Sequence, residues 1–442
     1  MNITVVGGAG YVGLTTATCL ASLGHKVYCM DIDRQRIAMI NKGISVVYEK
    51  ELGKMLKKAV KERRLVATLD FRAPISRSSL VFICVGTPSK ADGSMDLSQL
   101  KSAASSVGRS LVNHKEYCVI VVKSTVIPGT TENVIIPIIE KKSHKKSGVG
   151  FGVCVNPEFL REGSAVKDFL TPTDQGIVIG ELDKKSGDVL YKLYRRVSAQ
   201  ILRTAIRTAE MIKYARNFYL AKDISFANEI ANLCQKLGIN YMDVRKGLEM
   251  DTRIGEGRFL SAGIGFGGSC LPKDLRALSA EAEKVGIQPV MLKATLKVNE
   301  NQPKVLLRIL KQKMGHLEGK RIAVLGLAFK PGTDDIRESK SIVIIEKLLA
   351  AGANINAYDP QATEKAKGLL QNRVRYARTA KEALSDADAC IISTEWQEFS
   401  EPRLYHSLFG KLIFDGRRFL DPSRISKRLI YNAIGYPERS DN

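Results

Sequence analysis

The residues best suited to chemistry lie in Gly265-Phe266-Gly267-Gly268-Ser269-Cys270-Leu271-Pro272-Lys273-Asp274: a thiol behind a run of glycines, with an ammonium and a carboxylate on the next turn. Pro272 suits the first turn of a helix, where a missing N–H is harmless. The pattern predicts that helix over 273–285, stopped by Gly286. Cys270 then stands just ahead of a helix N-terminus. The partial positive charge there and Lys273 nearby favour the thiolate, and the glycines admit something large beside the sulfur. A buried structural cysteine in a tight loop is the competing reading, and the loop by itself leaves the two balanced.

A second chemical signature opens the chain. Ile3-Thr4-Val5-Val6 reads as a strand, Gly8-Ala9-Gly10-Tyr11-Val12-Gly13 as a turn, and a helical pattern follows to Gly24. The next strand, 26–30, finishes in Asp31. A G-x-G-x-x-G between strand and helix, with an acid roughly twenty positions on, is a dinucleotide fingerprint. Pyrophosphate would sit at the helix N-terminus. Asp31 would take the ribose hydroxyls and so favour NAD over NADP, although Arg34 and Arg36 nearby leave strict preference open. Strand-like runs at 80–85 and 117–122 end in Gly86-Thr87-Pro88-Ser89 and Lys123-Ser124-Thr125. In an open parallel sheet such tips line the ligand crevice. A further strand, 151–155, leads into Asn156-Pro157-Glu158-Phe159-Leu160-Arg161-Glu162-Gly163. Its two carboxylates could work as acid and base; taken alone, exposed surface charges are the simpler reading.

The elements that position these groups continue with the longest helical pattern, 204–238. Glu210, Lys213 and Asn217 share one of its faces, and Asn228 lies three turns on. Apolar residues on neighbouring faces predict burial, so Lys213 needs a partner or a role. Another helix to about Met250 leads through Asp251-Thr252-Arg253-Ile254-Gly255 to the cysteine loop. The last third restarts the opening theme: strands at 321–325, 355–358, 389–393 and 412–414, with a glycine turn but no G-x-G-x-x-G. This second doubly wound domain should bind something other than a dinucleotide. Lys330, Arg337, Arg417 and Arg418 suit an anion such as a nucleotide diphosphate.

Composition sets the bounds. A chain of 442 residues holds two or three domains. No apolar run approaches a membrane span. The start runs directly into a strand with no basic leader, so the expected location is the cytoplasm. The formal charge is +22, which attracts anions generally. The basic residues are dispersed, however, and the densest run, Lys141-Lys142-Ser143-His144-Lys145-Lys146, carries no interleaved aromatics. No nucleic-acid partner is therefore expected, and a basic nucleic-acid-associated protein is the alternative from a different class. The eight cysteines show no CxxC pair or zinc spacing, so no metal is expected; Cys29, Cys84, Cys118, Cys154 and Cys390 lie in apolar, strand-like runs. None of the five histidines falls in a motif. A histidine base of the kind common in two-electron hydroxyacid dehydrogenases is missing, whereas a thiol plus a lysine suits oxidation past an aldehyde.

Ten motifs, in order along essentially the whole chain, carry a resemblance: GAGYVG, CVGTPS, KSTVIPGTT, NPEFLREGSAVKDF, EMIKYARNFYLAKDISFANEIA, DTRIG, GFGGSCLPKD, GLAFKPGTDDIRES, AYDP and FDGRRF. Together they resemble the UDP-glucose/GDP-mannose dehydrogenase family. The resemblance implies an NAD-dependent four-electron oxidation at C6 of a nucleotide sugar, with Cys270 forming a thiohemiacetal and then a thioester. By the same resemblance Lys213 and Asn217 hold the sugar and stabilise the developing oxyanion, Asp274 orders a water with Thr125, and Glu158 is the acid–base residue of thioester hydrolysis. The base of the first step stays open. Matching positions assign NAD contacts to Gly8, Gly10, Tyr11, Val12, Gly13, Asp31, Arg36, Thr87, Thr125, Glu162, Lys273 and Arg337. The UDP-sugar contacts, beside Glu158, Lys213 and Asn217, are Phe159, Leu160, Arg161, Phe259, Leu260, Ser261, Gly267, Phe329, Lys330 and Arg417. Arg253 matches an arginine lent by a neighbouring subunit, which implies a homodimer or larger. The segment 162–169 resembles the branch acting on UDP-glucose, with UDP-N-acetylmannosamine, UDP-N-acetylglucosamine and GDP-mannose as sibling substrates. Gly7 departs from the usual apolar residue, which puts the end of the first strand in doubt, and the +22 charge is high for the family.

The expected architecture is α/β: two doubly wound, Rossmann-like domains joined by a long central helix and a helical dimerisation region. The expected boundaries are 1–203 for the NAD domain, 204–303 for the central region carrying Cys270, and 304–442 for the UDP-sugar domain.

Overall fold

The computed structural model describes residues 1–195, 197–254 and 259–437. The chain packs as two compact units, Met1–Arg216 and Asn217–Asn442. The division falls inside the helix Ile206–Lys236.

The first unit is built on an eight-stranded sheet. Its strands are β1 (Asn2–Val6), β2 (Lys26–Met30), β3 (Leu65–Thr68), β4 (Leu80–Ile83), β5 (Val119–Val122), β6 (Gly152–Val155), β7 (Ile177–Glu181) and β8 (Ile201–Ala205). Their spatial order is β3-β2-β1-β4-β5-β6-β7-β8. The sheet is parallel from β3 to β6, and β7 joins antiparallel. The central strands are unbroken apolar runs because both faces are covered. Alternation then sorts the side chains: Leu80, Phe82, Val119 and Val121 enter one core with Leu14 and Leu20, while Val81, Ile83, Ile120 and Val122 enter the other with Leu100 and Val107. The strand order reverses between β1 and β4, so the crevice of this unit opens beyond their carboxyl ends, beside the glycine turn.

Gly7 does not disturb β1, which ends at Val6. Its φ is +76°, and a Cβ there would stand 2.9 Å from the Cys84 carbonyl carbon, so glycine is the residue this turn takes. Three strands beyond the expected set, β3, β7 and β8, extend the sheet. The long helix accordingly starts at Ile206 rather than 204, because 201–205 pairs with β7 over its whole length. Residue 204 thus lies in a strand, and the 303/304 boundary lies within the helix Val290–Met314, which holds Pro303.

The second unit carries helices Tyr241–Glu249, Leu271–Lys284 and Val290–Met314, then a six-stranded sheet. Its strands are β9 (Arg321–Leu325), β10 (Asn354–Tyr358), β11 (Arg375–Tyr376), β12 (Ala389–Ile392), β13 (Leu412–Asp415) and β14 (Ile430–Ala433). They lie in the order β11-β10-β9-β12-β13-β14, all parallel. This is the doubly wound nucleotide-binding order. The fold class read from the sequence is the observed one. Among the described residues no helix is long and apolar enough to cross a membrane.

Candidate active site

The first unit presents the glycine turn as a cradle. A Cβ on Gly8 would stand 2.5 Å from Cys29 Sγ, and one on Gly13 would stand 2.1 Å from the Gly7 carbonyl oxygen. These two glycines let the turn and the helix Tyr11–Ser22 press onto the sheet. Gly10 is the N-cap, with no side-chain cap, which leaves the first-turn N–H groups suited to an anion. Asp31 accepts from Ala9 N (2.9 Å) and Ile32 N (2.8 Å), which turns its carboxylate onto the turn. Arg36 donates to Ala9 O at 3.3 Å and pairs with Asp33. Thr87 Oγ1 donates to Thr125 O at 2.9 Å, joining the two strand-end loops. The cradle and its acid fit a dinucleotide.

Tyr11 OH donates to Glu49, a buried carboxylate that the sequence reading did not single out. Glu49 also accepts from Gly163 N (2.7 Å) and Ala165 N (3.1 Å), tying the helix start to the turn after the half-buried Glu162. No local pattern marks Glu49, because its three donors come from far along the chain.

Glu158 is buried, not a surface charge. Its Oε1 lies 2.9 Å from Lys213 Nζ, which is buried as well, and its Oε2 accepts from Leu160 N at 2.7 Å. Burial pushes the carboxyl up, but the Lys213 charge and these hydrogen bonds outweigh it and hold Glu158 below the usual range. The group is an anion at neutral pH. Phe159 carries Arg216 over its ring at 3.8 Å, and Arg161 pairs with the buried Asp168 at 2.6 Å. Lys123 is buried beside this turn and donates to Asn156 Oδ1 at 2.8 Å. It too was missed; its place inside a strand-end motif was visible, its burial was not.

The second unit holds the thiol. Cys270 is the N-cap of Leu271–Lys284, with Pro272 in the first turn, as the sequence predicts. It is exposed, whereas the other seven cysteines are buried. Cys270 is therefore not the buried structural cysteine of a tight loop. One turn on, Asp274 is buried and accepts from Asn217 Nδ2 and Lys273 Nζ, each at 2.6 Å. Gly268 has φ +83°, and a Cβ there would meet the Phe329 ring at 2.8 Å. A Cβ on Gly267 would stand 2.4 Å from Glu338 O. The glycine run therefore packs against the 329–338 loop instead of only leaving room beside the sulfur.

Arg417 organises the mouth of this loop. It donates to Ser393 O (2.7 Å), Gly265 O (2.9 Å) and Phe329 O (3.2 Å). Lys330 lies over the Phe329 ring at 5.8 Å, and Arg337 is paired with Asp335 at 2.6 Å. Arg418 turns instead to Asn240 Oδ1 at 2.7 Å. Leu260 O accepts from Tyr241 OH, Ser261 Oγ accepts from Arg245, and Phe259 is exposed. Arg253 is exposed and paired with Asp251 at 2.6 Å; Gly255, the end of that motif, lies outside the described residues. Asn228 accepts from Gly263 N at 2.7 Å and so serves the loop rather than a polar stripe.

A fingerprint cradle on one doubly wound unit, and an exposed thiol beside a second doubly wound sheet, define a dehydrogenase built on two nucleotide-binding folds. Models of the UDP-glucose/GDP-mannose dehydrogenase family match throughout: the NAD binding domain over residues 1–198, the central domain over 207–301 and the UDP binding domain over 323–422. The UDP-glucose 6-dehydrogenase AglM of Haloferax volcanii is 42% identical over 426 residues, covering 95% of this chain and 97% of that protein. The UDP-glucose 6-dehydrogenase YwqF of Bacillus subtilis is 44% identical over 420 residues, covering 94% and 93%. A UDP-glucose dehydrogenase structure from Pyrobaculum islandicum matches with a TM-score of 0.91 at 37% identity, over 98% of this chain and 97% of that one. A UDP-D-ManNAc dehydrogenase from Pyrococcus horikoshii matches with a TM-score of 0.86 at 30% identity, over 99% of each chain. The chain belongs to the UDP-glucose/GDP-mannose dehydrogenase family. It is an oxidoreductase, and its cofactor is NAD.

Proposed function

We propose that the chain oxidises UDP-glucose to UDP-glucuronate in two successive two-electron steps. The observation that carries the reading is Cys270: the exposed thiol among eight cysteines, at a helix N-terminus, with the Asn217–Asp274 pair one turn away. Relatives named UDP-glucose 6-dehydrogenase at 42% and 44% identity support the sugar.

The Gly8–Gly13 turn and Asp31 would hold NAD, which would supply the hydride acceptor for each oxidation. Cys270 adds its sulfur to the C6 aldehyde, and the second oxidation leaves a thioester. Lys213 and Asn217, one turn apart on the same helix, serve the oxygen that becomes anionic. Glu158 takes a proton from the attacking water as the new C–O bond forms. The C–S bond then breaks, and sulfur leaves as thiolate. Asp274 and Thr125 order that water. Arg417, Lys330 and Phe329 hold the nucleotide diphosphate side, with Leu260, Ser261 and Gly267 along the loop. Arg253, exposed as a lent residue must be, completes the site of a second copy. The three-part division at 1–203, 204–303 and 304–442 is retained as a functional one, and the enzyme works in the cytoplasm.

Assembly as a homodimer has its own support. Tyr219, Phe226 and Leu233 recur every seven residues on the long helix, each at least 45% exposed, with Leu237 beside them. Such a stripe is a helix-pairing face.

The test is the NADH yield per sugar consumed, across a panel of nucleotide sugars. Two NADH from UDP-glucose is expected. Two NADH from an acetamido sugar or GDP-mannose alone would move the assignment to a sibling substrate.

A further inference from the structure

Lys123 follows β5, two residues before Thr125. It is 4% exposed. Its ammonium donates to the neutral amide oxygen of Asn156, and no ion pair holds it among the described residues. Asn156 is itself fixed: its Oδ1 also accepts from Tyr194 OH, and its Nδ2 donates to Val178 O, each at 2.8 Å. A buried cation without a carboxylate partner destabilises a fold relative to an apolar residue. Packing alone gives no reason for a lysine here.

The surroundings give one. Lys123, Asn156 and Glu158 border a cavity of about 40 Å³, room for a water molecule between polar groups. Glu158 has its ion pair with Lys213. In the reaction proposed above, Lys213 must turn its charge toward a substrate oxygen. A buried Glu158 left without a cation would take up a proton and could not accept one from the attacking water.

We propose that Lys123 is the second cation of the Glu158 site: a positioning residue that keeps Glu158 ionised while Lys213 serves the substrate oxygen, and that sets the Glu158 turn through Asn156. Burial lowers the Lys123 ammonium to about 8, so it is charged at neutral pH and loses its charge above that. The other groups facing the pair within this unit leave the role to lysine. The Cys84 thiol is pushed up to about 12 by burial and stays neutral, and the Tyr194 hydroxyl is raised likewise. Arg216 is spread over Phe159, and Arg161 is taken by Asp168.

This inference rests on the thioester reading. The experiment is single-turnover release of NADH and of acid from UDP-glucose, followed against pH for the natural enzyme, Lys123→Met and Lys123→Gln. Removing the charge should slow acid release about tenfold more than the first NADH on the acid side of the profile, where Glu158 takes up its proton. The acid limb of the hydrolytic step should move up by about one pH unit. The melting temperature of Lys123→Met should rise. Gln keeps a donor for Asn156 without the charge, so it should show the same shifted limb and serves alone if Met does not fold. A limb unmoved in either variant, or restored in Gln alone, overturns the role of the charge. If the natural enzyme releases fewer than two NADH per sugar, the thioester reading itself has failed, which is a separate result.

Discussion

Lys213 Nζ lies 2.9 Å from Glu158 Oε1, and neither side chain is more than 7% exposed. Breaking such a pair from one side strands the other charge. Lys213→Ala should therefore destabilise the protein by about 3–5 kcal/mol, and should lower kcat much more than it raises KM. Thermal unfolding and steady-state kinetics of one preparation check both. An unchanged kcat would remove Lys213 from the chemistry.

The same pair predicts an acid dependence. The Glu158 carboxyl is lower in the folded protein than in the unfolded chain, net of a burial effect that acts the other way. Its contribution to stability is thus full above the ordinary carboxylate range, near 4.3, and disappears as pH falls through the lower folded value. Melting curves between about pH 6 and pH 3 should show a loss in the natural protein that Glu158→Gln, already weaker, shows less of. Equal slopes for the two proteins would contradict the assignment.

The exposure of Cys270 against seven buried cysteines predicts a single fast-reacting thiol. Burial pushes Cys19, Cys84 and Cys118 up to about 12, which slows them further. Brief treatment with iodoacetamide should label one site per native chain, found by peptide mass at Cys270, and abolish turnover. Cys270→Ser should block the second oxidation and hold the sugar as an aldehyde-level adduct, whereas complete turnover to acid would exclude the thioester route.

Two glycines of the fingerprint should behave differently. A methyl at Gly13 would stand 2.1 Å from a backbone oxygen, whereas one at Gly10 meets its nearest neighbour at 3.4 Å. Gly13→Ala should cost about 1–3 kcal/mol or more in stability. Gly10→Ala should fold normally and raise KM for NAD, because its methyl occupies the approach to the helix N-terminus. Similar melting temperatures for both variants would show that the turn can relax.

The apolar stripe on the long helix predicts the last outcome. Phe226→Glu should convert the dimer to monomer in analytical ultracentrifugation and reduce activity, since Arg253 could no longer be lent. A monomeric natural protein would dispose of the stripe as an interface.

What could be read from the sequence was local. The fingerprint is strand, turn and helix within a few residues, and Cys270 sits two residues before a proline in a helix's first turn; both followed from neighbours in the chain. Edge elements were less legible. The edge strands β3, β8, β11 and β14 went unread, because short strands with mixed polarity carry no strong period, and β7 went unread beside β8.

The sequence by itself determined the family, the two doubly wound sheets and the thiol's place at a helix start, since all three are written in contiguous residues. Only the tertiary structure decided which charges are buried and with whom. Glu158 and Lys213 are 55 residues apart, Lys123 and Asn156 are 33 apart, and Glu49 is 114 from Gly163. A carboxylate reads alike on a surface and in a core. Its ionisation depends on the solvent it loses and the partner it gains, and both are set by how distant segments pack.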